Sequence, residues 1–140
     1  MSYINEVLSA LDNEENENIL KKTSEQINKE KLDILNDLSL SEENLNEIIS
    51  KLDEYIYVDE IPDIKYGNYI RWISLNNMEN IKLTHGGIVC DIDICDNGVI
   101  IKCKNFKNRM FSLHLSKSLI FRKLSNQEKV LLSVSDYLSK

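Results

Sequence analysis

The sequence predicts an α+β chain: an N-terminal α-helical region, then a five-stranded antiparallel small β-barrel, then a C-terminal helix. Three observations carry this. The apolar period changes from 3.6 residues to 2 at Pro62, the only proline. All four glycines, Gly67, Gly86, Gly87 and Gly98, follow that point. Gly86 to Lys104 reads as a β-hairpin about Asn97-Gly98, the preferred pair for a two-residue type I′ turn, whose central residues need φ > 0. Charge divides at the same place. Residues 1–63 hold 5 Lys/Arg against 17 Asp/Glu, and residues 64–140 hold 12 against 6, so the net charge of −6 hides two halves of opposite sign. The 140 residues are therefore read as two domains, an acidic helical region over 1–60 and a barrel with its own closing helix over 64–140. The boundary falls between Asp59 and Ile64, and the second domain is expected to fold without the first.

In the first half, Ile4, Val7, Leu8 and Leu11 mark a short helix, and Asp12 to Asn18 is an acidic loop. Ile19, Leu20, Thr23, Ile27, Ile34, Leu35 and Leu38 mark a longer second helix. Its stripe is thin, because Ser24 and Lys31 fall where a seam wants apolar residues. Ser39 and Glu42 form a capping box for a third helix, with Ser41 a competing cap. Its apolar face is Leu45, Ile48, Ile49, Leu52, Tyr55 and Ile56. The three helices are read as packing on one another, with the second leaving a face for external packing.

In the second half, Tyr66 to Leu75 is aromatic and β-branched and reads as a strand, and Asn76 to His85 as a polar loop with some extended structure. The hairpin supplies two strands. Its turn sets Asp96 opposite Val99, which places Ile88, Cys90, Ile92, Ile94, Val99, Ile101 and Cys103 on a core face. The other face pairs Asp93 with Lys102 and Asp91 with Lys104. Met110 to Leu115 and Leu119 to Leu124 are the last two strands. A final helix opens on a second capping box, Ser125 to Glu128, with Val130, Leu131, Val134, Tyr137 and Leu138 apolar.

This order over Tyr66 to Leu124 (a strand, a long loop, a tight hairpin, a fourth strand, a three-residue link and a short fifth strand) resembles the SH3-like barrel. The resemblance is one of element order and implies the fold alone; other five-stranded barrels, such as the oligonucleotide-binding fold, share these features. The runs Gly67 to Ile73 and Leu119 to Glu128 are similar to short uncharacterised proteins of large DNA viruses, and the Asn-, Ile- and Lys-rich composition suits an AT-rich genome.

The candidates for chemistry are few. Cys90, Cys95, Cys103, His85 and His114 fit no zinc spacing, and Cys90 and Cys103 read as small buried hydrophobes, so no metal site and no cofactor are expected. No nucleophile elbow is present, and Gly86-Gly87 precedes a strand rather than a helix, so it is a bend and not a phosphate loop. The chain reads as a non-enzyme. An odd number of cysteines, no apolar run of membrane-spanning length and an N-terminus without basic or apolar signal character point to a reduced, intracellular setting in cytoplasm or nucleus, off the membrane.

The unusual feature is charge. No acid lies between Asp96 and Glu128, while Lys102, Lys104, Lys107, Arg109, Lys117, Arg122 and Lys123 are basic. With Tyr69, Trp72 and Phe106, and Tyr66 nearby, these form the candidate binding face. The expectation is a non-enzymatic protein-interaction or structural module, its barrel a platform and its acidic helices an arm, with a protein or a second copy as partner. The alternative is a nucleic-acid-binding barrel using the Lys102–Lys123 face, against which the net negative charge argues.

Overall fold

The computed structural model describes residues 2–13 and 22–139. It holds four α-helices and six strands: α1 (Ser2–Asp12), α2 (Ser24–Asn36), α3 (Glu42–Lys51), β1 (Tyr55–Val58), β2 (Tyr69–Ser74), β3 (Gly87–Cys95), β4 (Gly98–Lys104), β5 (Met110–His114), β6 (Ser118–Lys123) and α4 (Asn126–Leu138). The chain is mixed α+β. The strands form one antiparallel sheet in the order β1-β6-β2-β3-β4-β5, six strands rather than five. It is not a closed barrel, because β1 and β5 are its two free ends.

Two compact units divide the chain elsewhere than the break in composition. One is Met1–Leu40 with Leu124–Lys140; the other is Ser41–Lys123. Thus α4 groups with the N-terminal helices and α3 with the sheet.

In the first unit α4 packs against both α1 and α2. The second helix begins at Ser24; Ile19 and Leu20, expected on it, lie outside the described residues, as does most of the expected acidic loop. Thr23 caps α2 in a capping box with Gln26. The start of α2 is tied to α4 by a carboxylate: Asp136 accepts from the Ser24 amide at 2.8 Å and from the Ser24 hydroxyl at 2.6 Å. A negative charge is stabilising at a helix N-terminus, where amides lack intrahelical partners. Ser135 adds a hydrogen bond to the Lys22 carbonyl at 3.1 Å. Replacing Asp136 with Ala is expected to cost about 1–3 kcal/mol in chemical denaturation, as loss of hydrogen bonds to a charged group does. A loss too small to measure would show that this tie adds nothing. In α4 Leu131 and Leu132 are buried, whereas Tyr137 and Leu138 are exposed, so its expected apolar face stops short of the last turn.

In the second unit Ser41, and not Ser39, caps α3, its hydroxyl accepting from the Asn44 amide at 3.2 Å. The helix ends at Lys51, and Glu54 takes a positive φ of 67°. Tyr55 and Ile56, expected on the helix, therefore begin a strand that pairs with β6 from Tyr55↔Lys123 to Val58↔Ile120. Strands β1, β6 and β2 are buried on both sides. One face carries Val58, Ile120, Ile70 and Trp72 of the main core; the other buries Tyr55, Phe121, Leu119 and Ile73. Buried on two faces, β6 reads as an apolar run rather than an alternation.

The hairpin forms with a different register. Cys95 pairs with Gly98, Ile94 with Val99 and Asp91 with Lys102. Asn97 does not take the positive φ that a type I′ turn requires; only Gly98 does, at 121°. The loop is accordingly the two residues Asp96-Asn97 between the paired Cys95 and Gly98, neither with a positive φ, and the glycine opens β4 instead of sitting in the turn. Asp93 faces Ile100 rather than Lys102, and Asp91 faces Lys102 rather than Lys104. This slide of one residue on each strand preserves parity, so Ile92 still shares a face with Val99, Ile101 and Cys103. A bulge between Val89 and Asp91 then reverses the earlier part of β3. Val89 is buried, and Ile88 and Cys90, expected in the core, are exposed.

The sheet is strongly curled. Trp72 on β2 and Phe111 on β5 have ring centroids 6.1 Å apart. Three strand spacings in a flat sheet would separate those strands by about 14 Å. The concave side holds the core of Ile64, Ile70, Trp72, Val89, Ile101, Cys103 and Leu113.

Candidate interaction surface

The convex side of the sheet carries one continuous row. Successive registers set Tyr69 opposite Ile88, Ile88 opposite Lys104 and Lys104 opposite Met110, so these four side chains share a face across β2 to β5. On β6, Lys123 lies opposite Tyr55 and on the Arg71–Phe121 side, which is also the side of Tyr69. Ile88 is 48% exposed and Met110 56%. The bulge at Cys90 makes this row: without it Ile88 would turn into the core.

Next to the row stands the β4–β5 tip, held by Asn105. Its side-chain oxygen accepts from the Lys107 amide at 2.9 Å and the Arg109 amide at 3.0 Å, and its own amide donates to the Arg109 carbonyl at 3.0 Å. Asn108 supplies a left-handed residue, φ 63°. This fixed loop holds Phe106 79% exposed, with the Lys107 ammonium 5.6 Å from its ring centroid. Both Lys107 and Arg109 are exposed.

The structure therefore brings together Lys104, Lys107, Arg109, Tyr69 and Phe106, with Lys102 in the next row, opposite Asp91 and Ser112. Lys123 continues the row on β6. Lys117 sits beyond the far end of β5, in the 3-10 turn Leu115–Lys117. Two expected members do not belong. Trp72 is a core residue and has no face to offer a ligand. Arg122 is buried on the concave side, in register with Ile56 and Ile70. Alternation along β2 and β6 decides both, since Trp72 and Arg122 lie on the strand face opposite Tyr69 and Lys123. Tyr69 is half-buried and its hydroxyl donates to the His85 carbonyl at 2.6 Å. Ile88 and Met110 were absent from the expected face; a period-2 reading cannot see the bulge that exposes Ile88.

Among the described residues no group of three or more His, Cys, Asp or Glu is placed to hold a metal ion. Among them, too, no helix is long and apolar enough to cross a membrane. Of the cysteines, Cys103 is buried, and that burial, with the nearby Cys90 a lesser cause, pushes its thiol above the ordinary 9.0 to about 11. Alkylation of the native chain at neutral pH should label Cys90 and Cys95 and spare Cys103, read by peptide mass spectrometry. The protonated thiol is favoured in the folded state, so this contribution is fully present below pH 9 and is lost as pH rises through about 11. Replacing Cys103 with Ser or Val should remove that alkaline loss of stability; an unchanged pH profile would refute the assignment.

Fold and surface together define a mixed α+β protein with an open, curled antiparallel sheet and one exposed apolar and basic end. Compared with known proteins, the chain matches no family model, no curated protein and no solved structure.

Proposed function

We propose that this chain is a non-enzymatic protein-interaction module whose platform is the curled sheet and whose recognition surface is the convex row with the Phe106 tip. The carrying observation is the combination of exposed apolar side chains, Ile88, Met110 and Phe106, with Lys104 at the end of β4 and Lys107 and Arg109 on a loop held by Asn105. Exposed aromatic, Met and Arg side chains are the types enriched at protein interfaces over bulk surface, and Phe106, Met110 and Arg109 supply all three. The order β6-β2-β3-β4-β5 and the 3-10 turn before β6 support an SH3-like reading of these five strands, with β1 an added edge. The N-terminal helices α1 and α2, which group with α4, are read as an arm, whereas α3 belongs to the sheet unit that carries the platform.

A photo-crosslinking residue placed at Phe106 should capture a discrete partner from the native source. Phe106→Ala combined with Met110→Asp should lower affinity for that partner by about 2 kcal/mol or more, as loss of an interface anchor does. The second reading, single-stranded nucleic acid, rests on the same stacking of cation and ring at the tip. Retention of the full-length chain on an oligothymidylate at physiological salt, with affinity falling steeply as salt rises, would replace the protein partner with nucleic acid. Lys104, Lys107 and Arg109 replaced by Glu would then abolish that retention.

A further inference from the structure

We infer that the partner docks by adding an extended, acidic segment to the open edge of β5, an inference that rests on the interaction-module reading above. Among the described residues β5 is an end strand of the sheet, bonded on one side only, to β4. Antiparallel neighbours alternate between pairs that exchange both backbone hydrogen bonds and pairs that exchange none. The Asn105 amide bonds the Arg109 carbonyl, which makes that pair a bonded one. Counting on, Cys103–Phe111 and Ile101–Leu113 are bonded pairs, and Lys104–Met110, Lys102–Ser112 and Ile100–His114 are not. The amides and carbonyls of Met110, Ser112 and His114 therefore point away from β4, to the open side. Met110, Phe111 and Ser112 are exposed there.

Open edges are ordinarily guarded by a charge, a proline or a bulge within the strand. β5 reads Met-Phe-Ser-Leu-His and has no acid, lysine, arginine or proline. Its cations flank it instead: Lys107 and Arg109 before it, Lys117 after it, and Lys102 and Lys104 on β4 beside it. The strand is thus open to pairing in its middle and selective at its ends. A second copy of this chain is the wrong occupant. Antiparallel pairing of β5 with itself about Ser112 would set Lys107 opposite the neighbour's Lys117, and no acid lies between Asp96 and Glu128 to offset it. Like charges across strands are unfavourable and opposite charges favourable. The fitting occupant is a strand of about five residues, spanning about 17 Å, with carboxylates at both ends. Its alternate side chains would lie beside Phe111, 41% exposed, and beside Met110.

The test uses the full-length, isotope-labelled chain and a synthetic eight-residue peptide alternating Glu and Val, with a Lys–Val peptide as control. The acidic peptide should slow hydrogen exchange of the Ser112 and His114 amides by about tenfold or more, and the basic one should not. Ser112→Pro removes an amide that points outward and that β4 does not use, so it should lower affinity for the acidic peptide by about tenfold or more. If that variant fails to fold, the exchange measurement on the unaltered chain decides alone. Unchanged exchange at Ser112 and His114, or equal protection by the basic peptide, overturns the inference. Resonance shifts confined to Ile88 and Phe106, with Ser112→Pro binding normally, would overturn strand addition and leave the interaction surface standing. Protection at β5 with no crosslink from Phe106 would do the reverse.

Discussion

Gly86→Ala is expected to unfold the sheet unit. Gly86 has φ +94°, a conformation that side chains with a Cβ rarely adopt. A Cβ there would also lie 2.8 Å from Tyr69 Cε1 and 2.9 Å from Arg71 Cγ, and nearer still to the backbone oxygen of Ile70. The last contact cannot be relieved by a side-chain turn, because it is to backbone, and Ile70 is paired on both sides, with Gly87 of β3 and Arg122 of β6, with no exposure. The strain of a positive φ costs about 1 kcal/mol, and overpacking against fixed backbone adds about 1–3 more, enough to remove most of the stability of a small unit. Gly67 separates the two terms. Its φ is +85°, but a Cβ there meets nothing within 4 Å. Gly67→Ala should therefore show the conformational term alone, about 1 kcal/mol. Denaturation midpoints that rank the two substitutions equally would show that β2 and β3 do not approach as described.

Cys103→Asp and Cys90→Asp should differ more than any other pair of like substitutions in this chain. Cys103 has no exposure and packs in the concave core with Val89 and Ile101. A carboxylate there has no partner, and burying it costs several kcal/mol or forces its protonation. Cys90 sits on the bulge and is exposed, its thiol donating to the Ile88 carbonyl at 3.4 Å. Aspartate there should cost under about 1 kcal/mol, the ordinary range for a surface change. The measurement is far-ultraviolet circular dichroism with urea titration of both variants at neutral pH. If Cys90→Asp is the variant that unfolds, β3 has no bulge, and Ile88 belongs in the core rather than on the convex row.

Much of the fold was legible because local chemistry and tertiary need agreed. The capping box at Ser125 and Glu128 is present, with the Ser125 hydroxyl accepting from the Glu128 amide at 3.1 Å. The strands expected near 66–75, 88–95, 99–104, 110–115 and 119–124 all form, each within a few residues of its expected ends. Tyr55 and Ile56 were misassigned because Leu52, Tyr55 and Ile56 continue a helical spacing from Ile48, and the positive φ at Glu54 that ends it has no glycine to announce it. Of the binding face, Lys104, Lys107, Arg109 and Phe106 were legible as a charge run with an aromatic inside it. Trp72 and Arg122 were not separable from it, because charge and aromaticity do not tell which side of a strand a residue occupies.

The sequence alone determined the strands after Pro62, the existence of the hairpin, the cap at Ser125 and the polarity of each half, since each rests on residues close in the chain: a periodicity, a turn or a capping pair. Tertiary structure decided what depends on parity and closure. The bulge at Cys90 exchanges Ile88 and Val89 between faces, and a period-2 pattern is blind to one extra residue. The sheet stays open, with β1 added beside β6 and β5 left as an edge, because strand pairing across more than sixty residues is settled by which apolar faces find cover. From those two decisions follow the surface that stands out from the core and the strand that has room for another beside it.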